Sequence, residues 1–462
     1  MKTNTRIAIT SMSSIASTMT IDEIWKNQIN KKPAFKKINE MSFVFSQQIE
    51  KVLTSKKYHP FFKNGLTSEE AIEKIKELIN GKYLPVKIIG ALSKNLISDN
   101  DLIEEIEKEI INTSFSSKYI KKILSLVKKC FDTSILQSIY MSITALNKAK
   151  LLETVMDNEM TINFGHLALK NIERRVLNLV INKRTMPRYL VASCPNMTSS
   201  VVANVLGTRG LATSDYNACA SAFAIAAVDQ ILLRTKIALT GGCDNTSGIL
   251  FTLTAFGRMA LARYEDMPNL ASRPFSNKLN DDTTKGFVFG DGGMFTLEEL
   301  DSAKSRADIL EILSILSNCN PVRENLPLSS GTIQGQSLSM KKALNSAITA
   351  EEFKEKVVFA HTSTESGDTT EAKSIHNVFN INITALKGVI GHSLGGSSAQ
   401  SLAIALKSFE ENIIPGTLHY SDKTRMDIPE INIISENTKR DLELILINAF
   451  FGHNASILIK KI

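Results

Sequence analysis

Two textures of hydrophobic and polar positions divide the chain. Residues 6–12 (RIAITSM) predict an opening strand, and the capping box Thr20-Ile21-Asp22-Glu23 starts a helix carrying the only tryptophan, Trp25. A second capping box at Thr67 and Glu70 opens a peripheral amphipathic helix over 67–80, with Ile72, Ile75, Leu78 and Ile79 on one face and Gly81 as its stop. The stretch from about 35 to 160 is lysine-rich and largely helical by period, without catalytic spacing. From residue 180 the texture changes to short β-branched or apolar runs (KIALTGG, KVVFAH, LILINAFF, NASILIKK) alternating with helical periods, which is the pattern of an α/β layered core.

An internal similarity extends that reading. Residues 215–233 and 388–408 both place small residues directly before an apolar helix. Two such helices packed together between sheets make the chain a duplicated α/β unit of five layers.

Composition narrows the class. With 462 residues, 43% hydrophobic and 22% charged, the chain can bury a large core, and no stretch reaches the roughly 20 apolar residues of a membrane span. The N-terminal MKTNTRIAITSMSSIAST is too short and too broken by Ser and Thr to resemble a signal-peptide core. Five cysteines without CxxC spacing suggest neither a disulfide framework nor a zinc site, and a reducing cytoplasm is the expected compartment. The net charge of +7 is concentrated in part at Lys31, Lys32, Lys36, Lys37 and at Lys118, Lys121, Lys122, Lys128, Lys129. Such runs are solvated faces or docks for an acidic partner. Interleaved aromatics and nucleic-acid motifs are missing, so nucleic acid is not the expected partner.

The candidate chemistry lies in the second texture. Cys219, in SDYNACASAFAIAAVDQILL, ends a polar turn and opens an apolar helix, whose unpartnered N–H groups and partial positive charge favour thiolate. His361 follows the strand KVVFA and begins a hydroxyl-rich loop, HTSTESGD, that ends on Gly367-Asp368. His392 sits in GHSLGG, where glycines permit close approach of backbone to a ligand. A thiol with two imidazoles fits carbon–carbon bond formation through a thioester, and Lys387 adds charge to hold that network. His59, His166, His376, His419 and His453 read as core or surface groups.

The strings ACASA at Cys219, ALTGGCDN at 238–245, LASRPFS at 270–276, GFVFGDGG at 286–293, HTSTESGDTTE from His361, LKGVIGHSLGGSSAQ around His392 and FGHNASILI near the end occur in one order over nearly 270 residues. In that order they resemble the β-ketoacyl-acyl-carrier-protein synthases of the thiolase superfamily, in the elongating Cys-His-His group that includes fatty-acid and type II polyketide ketosynthases. The resemblance implies a thiolase fold of duplicated five-layer αβαβα architecture. It divides the chain into an N-terminal half over 1–284, with the nucleophile and a divergent helical insertion near 50–140, and a C-terminal half over 285–462 with the histidines. It also implies that Cys219 accepts the acyl chain, that His361 and His392 promote decarboxylation and condensation, and that Lys387 and Glu371 support them. Phe451, with Phe450 as the competing candidate, corresponds to the phenylalanine that contributes an oxyanion-hole N–H and gates the thiol.

The order Cys, His, His separates the chain from thiolases, from acyl-CoA-primed synthases and from chain-length factors. No metal or cofactor is implied, since substrates ride on the phosphopantetheine of an acyl carrier protein. That carrier is one partner, and a second copy or a related ketosynthase-like subunit is the other. Three departures stand out: His361-Thr362-Ser363-Thr364 lacks the usual glycine, the Phe450-Phe451-Gly452-His453-Asn454 turn is shortened, and Ser276 replaces an acid before the enlarged loop Asn280-Asp281-Asp282-Thr283. They imply a reshaped pocket and a specialised lipid or polyketide substrate. Ordinary fatty-acid elongation, or a catalytically weak subunit of a heterodimer, are the alternatives.

Overall fold

The computed structural model describes residues 6–15, 20–33, 35–37, 91–93, 99–130, 133–155, 158–166, 194, 196–223, 235–244, 268–276, 286, 290–304, 310–319, 332–349, 352–353, 356–362, 364–379, 381–420, 427–451 and 453–462. The helix expected over 67–80 and the enlarged loop at 280–283 lie outside these residues. The strands in chain order are β1 (Ile7–Ile15), β2 (Phe35–Lys37), β3 (Ala91–Ser93), β4 (Thr161–Gly165), β5 (Ala212–Asp215), β6 (Ile237–Cys243), β7 (Gly292–Glu299), β8 (Leu310–Cys319), β9 (Val357–Ala360), β10 (Asn382–Ala385), β11 (Ile413–Ile414), β12 (Asn432–Ile433), β13 (Thr438–Lys439), β14 (Leu444–Phe451) and β15 (His453–Lys461). The runs IALTGG, VVFA, LILINAFF and HNASILIKK all form strands, because each offers a continuous apolar stretch of strand length.

Eleven strands form one sheet in the order β12-β10-β9-β14-β15-β8-β1-β7-β6-β4-β5. Ten of them are the same motif written twice, and β12 is added at the edge beside β10. In chain order within each half, the N-terminal strands run 3-2-4-5-1 (β5-β4-β6-β7-β1) and the C-terminal strands run 3-2-4-5-1 (β10-β9-β14-β15-β8), and in each only the fifth strand runs antiparallel to its neighbours. The halves meet where β1 and β8 pair antiparallel through Ile7↔Ile312, Ala8↔Glu311 and Ile9↔Leu310. Both 215–223 and 388–408 follow the third strand of their half, as the suggested duplication requires; residues 224–233, where the first apolar helix was expected, lie outside the described residues.

The seam falls elsewhere than 284. Strand β7 pairs with β1 and β6 and so completes the N-terminal half, which places the junction between β7 and β8. Pairing of β7 with β1 joins residues nearly 300 positions apart, which no local pattern near 285 encodes.

Side-chain alternation builds the layers. On β14, Ile445 and Ile447 join the central core with Leu402 and Ile404, whereas Leu444 and Leu446 join an outer core with Met340 and Leu344. The helix Ser397–Glu411 is the central layer: it is buried along most of its length and packs against β1, β6 and β7 on one side and β14 on the other. Outside the N-terminal half of the sheet lies the helix Thr133–Lys148, with Asp99–Ile111 packed on it; Ser117–Val127 packs against Asp99–Ile111 and Met197–Leu206, and Leu102, Ile106, Ile123 and Val127 share one core. Ile333–Asn345 and Glu365–His376 cover the C-terminal sheet. The five layers are therefore helix, sheet, helix, sheet, helix. Thr133–Lys148 contacts β1 and β7 directly, so the last part of the segment read as a divergent insertion is a core element. Near the start, Thr20 caps the Trp25 helix by accepting from the Glu23 N–H, as its capping box requires.

Candidate active site

Every proposed reacting group sits at the carboxyl end of a strand, where α/β sheets open toward ligands. Cys219 lies in the 3-10 turn Ala218–Phe223 that follows β5. His361 immediately follows β9, and His392 follows the short helix Lys387–Ile390 at the end of β10. The duplicated topology thus faces the third-strand turn of the N-terminal half with the second- and third-strand ends of the other.

The three come together closely. His392 Nε2 lies 3.0 Å from Cys219 Sγ, and the sulfur and one nitrogen of each ring all fall within 4.8 Å. The His361 and His392 rings meet edge to face at 5.3 Å. All three side chains are buried. Neither ring nitrogen of His361 has a hydrogen-bond partner among the described residues, so this imidazole keeps its bonding capacity free for a guest.

Glu371 explains how the His361 turn is held. Its carboxylate accepts from the backbone N–H of His361 at 2.9 Å, from that of Thr362 at 2.8 Å and from Asn448 Nδ2 on β14 at 2.9 Å. Asn448 in turn accepts from Ser456 Oγ at 3.1 Å, which tethers the site to β15. Asp368 fixes the other side of the turn, accepting from Thr362 Oγ1 and from the Phe275 N–H, each at 2.8 Å. HTSTESGD is only briefly a loop: Thr364 caps the Gly367 N–H, and Glu365 already begins the helix Glu365–His376. The acidic first turn, Glu365 and Asp368, suits the helix dipole there. Ser276, where an acid was expected, donates to the His419 carbonyl at 2.7 Å.

The shape of GHSLGG depends on its glycines. Gly391 adopts φ 73°, and a Cβ on Gly395 would stand 2.6 Å from His166 Cα, one on Gly396 2.2 Å from the Gly242 carbonyl oxygen. Such contact seats the His392 turn directly on the ends of β4 and β6.

Burial dominates the electrostatics. It pushes the Cys219 thiol up to about 12, with Lys387 acting in the opposite direction. The thiolate inferred from the start of a helix is therefore not the resting form, because desolvation of a fully buried sulfur outweighs the favourable neighbours. Burial, reinforced by Lys387, holds both histidines well below their ordinary value, so they are neutral N–H donors and acceptors. Burial also brings Lys387 down to about 7, against Cys219 and Glu371, and lifts Glu371 to about 7 against its three hydrogen bonds. Thiol and imidazole can thus exchange a proton at 3.0 Å without either being charged beforehand. Cys, His and His are also donors that a soft divalent cation accepts.

Of the two phenylalanine candidates, Phe450 packs its ring on His361 at 5.4 Å. Phe451 is the last residue of β14 and pairs with His453 across the tight turn into β15. Asn448, Asp244 and His166 were not singled out by the sequence. Asn448 stands in the apolar run LILINAFF, and its polarity inside a buried strand is the signal that would have found it.

The profile of the beta-ketoacyl synthase N-terminal domain matches residues 92–303 and that of the C-terminal domain matches residues 311–421. A 3-oxoacyl-[acyl-carrier-protein] synthase 2 of Synechocystis is 27% identical over 335 residues, spanning 69% of this chain and 79% of that protein. The 3-oxoacyl-[acyl-carrier-protein] synthase 1 of Escherichia coli is 28% identical over 291 residues, 61% of this chain and 68% of the other. Among solved structures, the ishigamide ketosynthase/chain length factor superposes with TM-score 0.73 at 18% identity over the full length of both chains. A beta-ketoacyl synthase from Burkholderia phymatum gives TM-score 0.74 at 20% identity over 99% of this chain and all of the other. With both domain profiles in sequence order on a doubled 3-2-4-5-1 sheet and a Cys-His-His cluster at its strand ends, the chain belongs to the beta-ketoacyl synthase family.

Proposed function

We propose that the protein is a ketosynthase that condenses a Cys219-bound acyl chain with a malonyl group carried on an acyl carrier protein. The observation that carries this reading is the 3.0 Å approach of a neutral His392 Nε2 to a buried thiol, with His361 beside it and free to bind a guest. In the first step the Cys219 S–H gives its proton to His392 Nε2 as sulfur attacks the incoming thioester carbonyl. The carrier's thiolate leaves and takes that proton, and the acyl group stays on sulfur. In the second step the malonyl carboxylate departs as carbon dioxide, and its bonding electrons form an enolate. The enolate oxygen accepts hydrogen bonds from the imidazole N–H groups of His361 and His392. Carbon 2 then attacks the Cys219 thioester carbonyl, forming the carbon–carbon bond and expelling the sulfur as a thiolate, which takes up one proton from solvent through His392, 3.0 Å away.

Glu371, Asp368 and Asn448 act by holding the His361 turn, and Lys387 by its charge near Cys219 and both imidazoles. Phe450, edge-on to His361, suits the gating role. The acyl carrier protein is the expected partner and a homodimer or heterodimer the expected assembly; an ishigamide ketosynthase/chain length factor and an acyl-carrier-protein complex of AntDE are among the similar folds. Among the described residues no helix is long and apolar enough to cross a membrane. The absent glycine before Thr362 and the shortened turn at 450–454 support a specialised lipid or polyketide substrate over ordinary fatty-acid elongation.

The test is to incubate the protein with acyl-carrier-protein thioesters and weigh it intact. An acyl adduct that maps to Cys219, followed by a 3-oxoacyl product on adding malonyl-acyl carrier protein, is expected. Absence of any adduct under conditions that load a control synthase refutes the reading and leaves a subunit that only shapes an active partner.

A further inference from the structure

Asp244, just past β6, is buried at 2% exposure and joins three parts of the site that the triad alone does not connect. Its Oδ2 accepts from the Gly395 N–H at 2.9 Å, within the turn that carries His392. Its Oδ1 faces Nδ1 of His166, a fully buried ring at the end of β4, at 3.9 Å. The His166 carbonyl receives Ser221 Oγ at 3.5 Å, from two residues beyond the nucleophile, and its ring faces Tyr216 at 6.2 Å. Strand ends β4 and β6, the nucleophile turn and the histidine turn therefore converge on one carboxylate.

We propose that Asp244 is a positioning residue that also acts through its charge. It anchors the His392 turn beside the nucleophile, and its negative charge adds to burial in disfavouring the Cys219 thiolate until His392 takes the proton. A carboxylate beside a titrating thiol disfavours the second negative charge. Asp244 acts in that direction on Cys219, and on Tyr216, whose hydroxyl burial and Asp244 together push up to about 12. The charged and titratable groups around the thiol are Asp244, His166 and Tyr216 on the N-terminal side and Lys387, Glu371, His361 and His392 on the other, with Lys387 opposing Asp244. A resting thiol resists adventitious alkylation and oxidation, while an acyl thioester is accepted with proton transfer to His392.

This deepens the ketosynthase reading and rests on it only for the benefit to acyl loading, because thiol reactivity can be measured without any condensation. The experiment is the rate of Cys219 alkylation by iodoacetamide from pH 6 to pH 10, followed by peptide mass, in the parent and in Asp244→Asn and Asp244→Glu. Asparagine keeps an oxygen to accept from the Gly395 N–H and removes the charge. Its profile is expected to move to lower pH, with alkylation about tenfold faster at a given pH if the shift is one unit. Glutamate keeps the charge and is expected to stay at or above the parent's profile. A profile for Asp244→Asn that coincides with the parent's or moves up overturns the proposal. If the asparagine variant does not fold, a glutamate variant that titrates clearly below the parent overturns it instead. Loss of acyl loading in a protein whose alkylation profile behaves as stated would count against the ketosynthase reading alone.

Discussion

Replacing Glu371 with glutamine separates two opposed consequences of burying a carboxylate. The native side chain satisfies two backbone N–H groups and one amide N–H, all buried. Glutamine has one acceptor oxygen in place of two and turns an N–H₂ group toward at least one of those donors, a mismatch that costs about 1–3 kcal/mol. Against this, burial lifts Glu371 from 4.5 to about 7, so the folded state holds the proton more tightly than the unfolded state does. For a carboxyl group raised in this way, the favourable contribution is present in full below pH 4.5 and is lost as pH rises through about 7. The full excursion of some 2.5 units corresponds to roughly 3 kcal/mol. Glutamine does not titrate, so the variant escapes that loss.

The variant is therefore expected to be less stable than the parent near pH 5 and to approach or pass it near pH 8. For a chain of this length each kcal/mol moves the melting midpoint by about 2 °C or less, so the gap is expected to shrink by about 3–6 °C between the two pH values. Differential scanning calorimetry of parent and variant at both pH values measures it. A deficit that is equal at the two pH values, or larger at pH 8, refutes the assignment of a buried, proton-loving carboxyl to this position. The acyl-loading rate of Cys219 should fall less than malonyl decarboxylation does, because Glu371 orients His361 and not the thiol.

Other changes test separate links. His392→Ala removes the group that takes the thiol proton, and acyl transfer to Cys219 should fall about 10²–10⁴-fold, read by single-turnover loading; a loss under tenfold would exclude that role. Lys387→Met removes a positive charge that favours the thiolate, so the alkylation profile of Cys219 should move to higher pH, opposite to Asp244→Asn, and a downward shift would contradict the charge assignment. Gly396→Ala forces a Cβ to within 2.2 Å of the Gly242 carbonyl oxygen, where backbone must move, and should destabilise by about 1–3 kcal/mol or more in thermal melts; an unchanged midpoint would show that the turn is not seated as described.

Local pattern specifies the elements and points to the proposed reacting groups. Strands such as VVFA and LILINAFF are legible because an apolar run of strand length, interrupted only by Asn448 in the second, carries its own instruction. The Thr20 cap is legible because its partner, Glu23, lies only three residues away. Cys219, His361 and His392 stand out for the same reason, as thiol and imidazoles flanked by small or hydroxyl residues at strand ends.

Partners distant in sequence set the rest. Glu371 meets Asn448 across 77 positions and Asp244 meets Gly395 across 151, separations that no local pattern encodes. The junction between halves lies past β7 because strand pairing over long separations, rather than local pattern, defines a sheet. The charge state of Cys219 reverses for a related reason. The turn around the thiol favours thiolate, but the five layers packed over it remove the water that a thiolate needs, and that burial exists only once the two halves have folded together.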